Sequence, residues 1–364
     1  MPPLESIRVT VERAVEPVVN PHGSQIHQTP RAVVGFATEA GNDIVGLGAT
    51  AIHKRECPGP RHYFGIGSVT KLFTGLALAK AYTDGQVQLH NPVNNYLKPD
   101  LRVDDRITLG HLVTHTAGLP MFPDNLRPMR TLKTLEGTDP VRYSPGRNYS
   151  REMLAQYFRG PAGLVFEPGT ATNYSSLGIG LLSVALQDHL GFRSLESLNR
   201  ALVALPLGMA DTHANTRSII SGMGRRRVQG YTVDRQRLHP VTYSQMGVLA
   251  GAGELISTAN DMLQLLMALS GIRPSPLENA IAELTRPLRP TMGYAVRIVP
   301  SKHRGLYYLS EGVVAGFSAV LVWRRDPPLG LVLLANRGTF TDKNKLEGLN
   351  SAGLTLIEDL SERL

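Results

Sequence analysis

The spacing of apolar and polar positions divides the chain into three stretches. Near the start, Leu4, Ile7, Val11, Ala14, Val15 and Val18 recur at helical spacing among charged residues, which predicts an amphipathic helix over Leu4–Val19. Two strand-like runs come next, Ala32–Thr38 and Ile44–Ala51, and the polar, glycine-containing Glu39-Ala40-Gly41-Asn42-Asp43 between them predicts a hairpin. A helix then opens at Ser68, after a Gly-Ile-Gly turn, and runs to Asp84-Gly85; between Val69 and Ala79 its only charged residue is Lys71, so it reads as buried nearly all round.

From about Asn91 to Leu249 strand-like runs become scarce. Helix-length segments alternate there with Pro/Gly turns, at 107–114, 151–158, 176–189 and 194–204. Thr258–Ser270 is a further amphipathic helix with Asp261 in its first turn. After Met292 the strand pattern returns, over Tyr294–Val299, Leu306–Leu309, Phe317–Trp323 and Leu329–Ala335, the last two joined as a hairpin through Arg324–Pro328. Gly312–Phe317 reads as the opening of a strand, and Lys343–Leu364 as a helical tail. This order predicts an α+β fold in which an antiparallel β-sheet is flanked by the N- and C-terminal helices. Residues 1–90 and 250–364 would form that domain and residues 91–249 an inserted, mostly helical one, with a site in the cleft between them.

Composition narrows the classes. A chain of 364 residues with 42% hydrophobic and 19% charged residues has enough apolar material for a large core, which excludes a disordered chain. Cys57 is the single cysteine, so an intrachain disulfide and a thiol metal cluster are both excluded. With no basic cap and apolar run near Met1 and no apolar window of membrane length, the expected location is cytoplasmic, with no membrane partner. The net charge of +8 is densest at Arg225-Arg226-Arg227, flanked by glycines at 222, 224 and 230, which reads as a solvated loop. Only Tyr231 lies near it, whereas a nucleic-acid surface interleaves basic and aromatic residues, so no nucleic-acid partner is expected.

The chemistry concentrates at the head of the apolar helix. Ser68 and Lys71 are three residues apart, on one face of its first turn. Dry surroundings make a lysine's extra proton costly to hold, and such a lysine beside a hydroxyl can take the hydroxyl's proton and make it a nucleophile. The helix start adds backbone N–H groups suited to an oxyanion. The competing reading makes Ser68 an N-cap and Lys71 a solvent-directed side chain. His111 and His115 have the i, i+4 spacing of a zinc helix, but Leu112 stands where a metalloprotease has its glutamate and no third ligand is evident, so both rings are expected to bond backbone. Tyr174 sits where a loop enters an apolar helix, a place that holds a phenol rigidly enough to relay a proton. Tyr149, in Pro145-Gly146-Arg147-Asn148-Tyr149-Ser150, is a decoy of similar flavour, with charged residues after it.

Together these pieces resemble the serine β-lactamase and penicillin-binding-protein-like superfamily, with class C β-lactamases, family VIII carboxylesterases and D-aminopeptidases nearest. The resemblance runs over roughly residues 30–340. It rests on Ser68-Val69-Thr70-Lys71, on HLVTHTAGLP from His111 to Pro120, on Tyr174-Ser175-Ser176, and on Asn173–Leu182, Gly253–Met262 and Ala315–Phe317. It implies Ser68 as the nucleophile that forms an acyl-enzyme, Lys71 as its base partner, and Tyr174 as the group that shares the base work and protonates the leaving group. Ser176 would bond a substrate amide or Lys71, and the backbone N–H groups of Ser68 and Val313 would hold the oxyanion. No metal or cofactor is required.

The third motif departs from the family pattern: Ser310-Glu311-Gly312 stands where a lysine or histidine is usual. An acidic Glu311 would repel a substrate carboxylate by roughly 1–4 kcal/mol at close range. The expected substrate is therefore a neutral or cationic small-molecule ester or amide, with water, an amine or an alcohol as acceptor: a carboxylesterase-like hydrolase or acyltransferase. The alternatives are a β-lactamase or D-aminopeptidase/D-Ala-D-Ala carboxypeptidase, and a non-catalytic binding member of the fold. The geometry expected of the site puts both the Lys71 amine and the Tyr174 hydroxyl within hydrogen-bond reach of Ser68 Oγ.

Overall fold

In the computed structural model the described residues are 32–126 and 146–338, apart from 52–53, 55, 161–162, 215–216, 235–236 and 302–304, together with 9–10, 13 and 354–358. The strands are β1 (Ala32–Thr38), β2 (Gly41–Leu47), β3 (Tyr63–Gly65), β4 (His213–Ala214), β5 (Gly230–Asp234), β6 (Arg237–Val241), β7 (Leu255–Thr258), β8 (Arg297–Pro300), β9 (Leu306–Val314), β10 (Phe317–Arg325) and β11 (Pro328–Ala335). The α-helices are α1 (Thr70–Thr83), α2 (Leu109–Val113), α3 (Arg151–Arg159), α4 (Ser176–Leu190), α5 (Leu195–Asn199), α6 (Arg217–Gly222), α7 (Ala259–Ser270) and α8 (Glu278–Thr285).

Six strands form one antiparallel sheet in the order β2-β1-β11-β10-β9-β8. Its central strands β1, β10 and β11 are buried on both faces and read as continuous apolar runs, which side-chain alternation sorts. Val33, Ala319, Leu321, Trp323, Val332 and Leu334 point to the main core. Ala32, Val34, Phe36, Val320, Val322, Leu331 and Leu333 point to the other face, where Leu356 and Ile357 of helical residues 354–358 cover them. Helix α7 packs on the main-core side, across β1, β10 and β11. Its start is fixed by Thr258, whose side chain accepts from Asp261 N.

Helix α1 is the centre of the core. Its buried residues run from Thr70 to Ala79 without a break. Its two internal threonines are satisfied from outside the helix: the Thr74 hydroxyl donates to Gly251 O at 2.8 Å and Thr70 Oγ1 accepts from Leu255 N at 3.1 Å. Gly75 gives room for a neighbour, because a Cβ there would lie 2.2 Å from Tyr294 O.

Most elements expected from the sequence are present, with corrections. The second strand of the N-terminal hairpin is Gly41–Leu47 rather than Ile44–Ala51. The segment expected to open a strand at Gly312 instead continues β9 as far as Val314, and the turn comes at Ala315-Gly316. The central stretch holds more strand than its pattern suggests: β5 pairs with β6, and β4 joins β3 and β7, which lie outside that stretch, in a small separate sheet. Arg226, expected in a solvated loop, lies over the Tyr63 ring at 4.5 Å and donates from Nε to Arg61 O at 2.9 Å. The helix expected over Leu4–Val19 and most of the tail expected over Lys343–Leu364 fall outside the described residues.

The closeness of α1 to Tyr294 makes a prediction. Gly75→Ala places a methyl against that carbonyl and lowers the unfolding free energy by about 1–3 kcal/mol in urea titration, although alanine favours helix.

Candidate active site

Ser68 lies in a single 3-10 turn, Gly67–Val69, that feeds α1. Neither that turn nor α1 is capped by a side chain, so Ser68 is not an N-cap. Its hydroxyl instead accepts from Lys71 Nζ at 3.0 Å. Lys71 is 3% exposed, which removes the solvent-directed reading, and its Nζ also donates to Ala252 O at 2.5 Å. That carbonyl ends the 3-10 segment Gly247–Ala252, which leads through Glu254 into β7.

The far end of β9 lies against the same turn. A Cβ on Gly312 would sit 2.2 Å from Ile66 O and 2.7 Å from Ser68 N, so only glycine admits this approach. Gly67, with φ +50°, faces the Val313 backbone in the same way, its notional Cβ 2.8 Å from Val313 C. Strand β8 pairs with β9 only as far as Leu309, so Ser310–Val314 lie beyond it, beside the Ser68 turn. Glu311 is held there by Arg297 of β8, with Nη1 3.2 Å from Oε2. Burial raises the Glu311 carboxyl above its ordinary range, and the Arg297 guanidinium opposes that shift.

Tyr174 is brought to Lys71 by the segment 115–121. Asn173 N donates to His115 O at 2.9 Å and Ser175 N to His115 Nδ1 at 3.2 Å, so His115 grips both neighbours of the tyrosine. The Asn173 amide donates to Leu119 O at 2.9 Å and the Ser175 hydroxyl to Pro120 O at 2.7 Å. Ser175, not Ser176, caps α4, accepting from Gly178 N at 2.8 Å. The Tyr174 ring lies 4.9 Å from Lys71 Nζ and 4.7 Å from the His115 ring. One expected leg of the site is therefore different: the ring faces the amine, and among the described residues the Tyr174 hydroxyl has no hydrogen bond to Ser68. Ser176 is buried next to it, and its hydroxyl makes no bond to Lys71.

Residues 30–352 match the family described as Beta-lactamase. The chain belongs to that family. D-alanyl-D-alanine-carboxypeptidase/endopeptidase AmpH of Escherichia coli strain K12 is 33% identical over 151 residues, 40% of this chain and 35% of that protein. The chain thus matches about a third of the length of this relative. Esterase EstB of Burkholderia gladioli is 31% identical over 160 residues, 41% of this chain and 37% of that protein. A class C beta lactamase from Rhodobacter sphaeroides superposes with a TM-score of 0.76 at 23% identity, covering 96% of this chain and 99% of that one, which establishes the fold.

The structure also sorts the other candidates. Tyr149 is 1% exposed and donates to Asn125 Oδ1 at 2.8 Å, a core role. His111 and His115 both bond backbone, His111 Nδ1 lying 3.2 Å from Arg106 O, and no cluster of metal-ligating side chains occurs among the described residues. No helix among these residues is long and apolar enough to cross a membrane. Sequence reasoning did not find the Ala252 carbonyl, a backbone atom without a side-chain signal, or Arg297 as the partner of Glu311.

His115 is also more than a ring bonded to backbone. It adopts φ +59°, a left-handed conformation that histidine tolerates better than most residues. Burial first, and the Lys71 charge second, push its pKa down to about 3. It stays neutral, and with Nδ1 accepting from Ser175 its proton sits on Nε2. The lowered value sets the sign of a pH effect. The unfolded chain takes up the proton near pH 6.5 and the folded one does not, so this residue's contribution to stability is lost as pH falls below 6.5. In urea titrations the stability gap between wild type and His115→Gln is expected to narrow by about 2 kcal/mol between pH 7.5 and pH 5.

Proposed function

We propose that the protein is a serine hydrolase or transacylase that acts on small-molecule esters or amides through an acyl-enzyme. The single observation that carries the reading is the 3.0 Å contact between Ser68 Oγ and the buried Lys71 amine. In this scheme the Lys71 amine takes the Ser68 proton as Oγ attacks the acyl carbon. The tetrahedral oxyanion sits between the backbone N–H groups of Ser68 and Val313, which Gly67 and Gly312 allow to approach. Collapse expels the leaving alcohol or amine, which takes a proton from Tyr174, and Lys71 returns the phenol's proton. Tyr174 is 44% exposed, which supports access of a leaving group to this residue. Water, an amine or an alcohol then attacks the acyl-enzyme. Ser68 and Lys71 come from the 1–90 and 250–364 part of the chain and Tyr174 from 91–249, which supports a cleft between two domains.

The charge at β9 favours a neutral acyl group. Ser310, at the start of the third motif, carries no cation for a substrate carboxylate, and Glu311, in register with Val320 on the far face of the sheet, is paired with Arg297. Ser310 and Ser176 then offer hydroxyls to the substrate. The EstB match supports an ester donor. A second reading, amide or lactam cleavage of the β-lactamase or D-Ala peptidase kind, draws on the family and on the AmpH match.

A panel of p-nitrophenyl esters, D-alanine p-nitroanilide and a chromogenic cephalosporin separates the two. Esters of uncharged acids should turn over at least tenfold faster than the cephalosporin, and Ser68→Ala should abolish every rate. Faster cephalosporin than ester turnover overturns the ester preference. Intact-mass spectrometry after a fluorophosphonate should show one adduct on wild type and none on Ser68→Ala; an equal adduct on both points to a binding protein.

A further inference from the structure

Glu254 is a carboxylate in an expensive place. It is 8% exposed, and no cation pairs with it among the described residues. Burial raises it to about 7, opposed only by two backbone N–H groups, those of Met246 and Gly247. Met246 N donates to its Oε2 at 2.6 Å, and its own N–H donates to Ala250 O at 3.0 Å. The side chain thus ties the end of the 246–254 segment back to its beginning. Within that loop lie the two carbonyls that grip α1: Gly251 O, bonded by Thr74, and Ala252 O, bonded by Lys71.

We propose that Glu254 is a positioning residue for Lys71: by closing the 246–254 segment it fixes the Ala252 carbonyl that holds the amine against Ser68. This rests on the reading of Lys71 as the base of Ser68. Glu254 acts through the backbone segment and does not touch the reacting atoms. In its ionised form it accepts two charge-assisted hydrogen bonds, about twice as strong as neutral ones. Protonated, it accepts more weakly and the segment is held less firmly.

The stability effect has the opposite sign. A carboxyl raised above its ordinary value favours the folded state when protonated. That contribution is complete below about pH 4.5 and is lost as pH rises through 7. Activity and stability therefore diverge at this one residue, which a purely structural glutamate would not produce. Glu254 also lines a cavity of about 910 Å³ whose other charged groups are Lys98, Asp100, Arg151, Asp188, Arg193 and Glu196. Arg151 is committed to Asp100 and Asp188, and Glu196 to His213, whose pKa it raises. These groups are the same in wild type and variant.

The test compares wild type with Glu254→Gln, which keeps the shape and one acceptor. Steady-state p-nitrophenyl ester hydrolysis and the rate of fluorophosphonate labelling of Ser68 are followed from pH 5.5 to 9, with thermal midpoints at pH 5.5 and 8.5. The wild-type rate should fall on the acid side through an inflection near pH 7. The variant should lack that inflection and be about tenfold slower in kcat at pH 8.5, with KM within twofold, while melting higher than wild type at pH 8.5 and about equally at pH 5.5. Equal rates, or an unchanged inflection, overturn the proposal. A variant that melts lower at both pH values or fails to fold marks Glu254 as structural and also overturns it. If wild type shows no Ser68-dependent labelling, the base reading fails and the positioning role falls with it; labelling by wild type with no effect of Glu254→Gln removes the positioning role alone.

Discussion

The site depends on a lysine amine enclosed in an apolar helix and held between one hydroxyl and one carbonyl. Lys71 has two oxygen partners, Ser68 Oγ and Ala252 O, and no carboxylate partner among the described residues. An ammonium in that position lacks the water and the counter-ion that ordinarily stabilise its charge. The surrounding fold keeps it there: α1 is buried along its length, the 247–252 segment crosses it, and β9 closes against the turn that carries Ser68.

The neighbours are arranged so that they do not compete for that amine. His115, close enough to feel its charge, is kept neutral by burial and spends Nδ1 on the backbone beside Tyr174. Tyr174 turns its ring face to the amine, a contact that attracts whenever Lys71 carries its proton, and the residue is part-exposed. Glu311, the acidic residue nearest in the chain to the proposed oxyanion amide, is drawn to Arg297. Each polar group around Lys71 is thus neutral or engaged elsewhere. Ser68 Oγ and the Ala252 carbonyl are the groups that do bond the amine, and the carbonyl belongs to the segment that Glu254 closes.

Much of this was legible in the sequence, for physical reasons. Lys71, the one charged residue in the buried run from Thr70 to Ala79, can be read directly, because burial and charge conflict there. Strands β1, β10 and β11 could be read because both of their faces are apolar. Tyr174 could be told from Tyr149 by the residues C-terminal to each, an apolar helix in one case and charged residues in the other. The features that escaped were made by contacts distant in the chain. Strand β3 pairs with β7 across nearly two hundred residues in runs of three and four, too short for a periodic signal. The orientation of the Tyr174 ring is set by the His115 backbone and side chain, and the strand through Gly312 by its register with β10. Helix α8, which packs on α1, was missed although Ser275-Pro276-Leu277-Glu278 before it has the form of a helix start; with eight residues it is too short for a clear period.

The measurement that bears most directly on the buried amine is the rate at which a fluorophosphonate labels Ser68 in wild type and in Lys71→Met, a change that keeps an unbranched apolar side chain and removes the amine. If Lys71 is the base, labelling slows by about 10²–10⁴-fold while the thermal midpoint holds or rises. Labelling at the wild-type rate in a folded Lys71→Met protein would contradict the account.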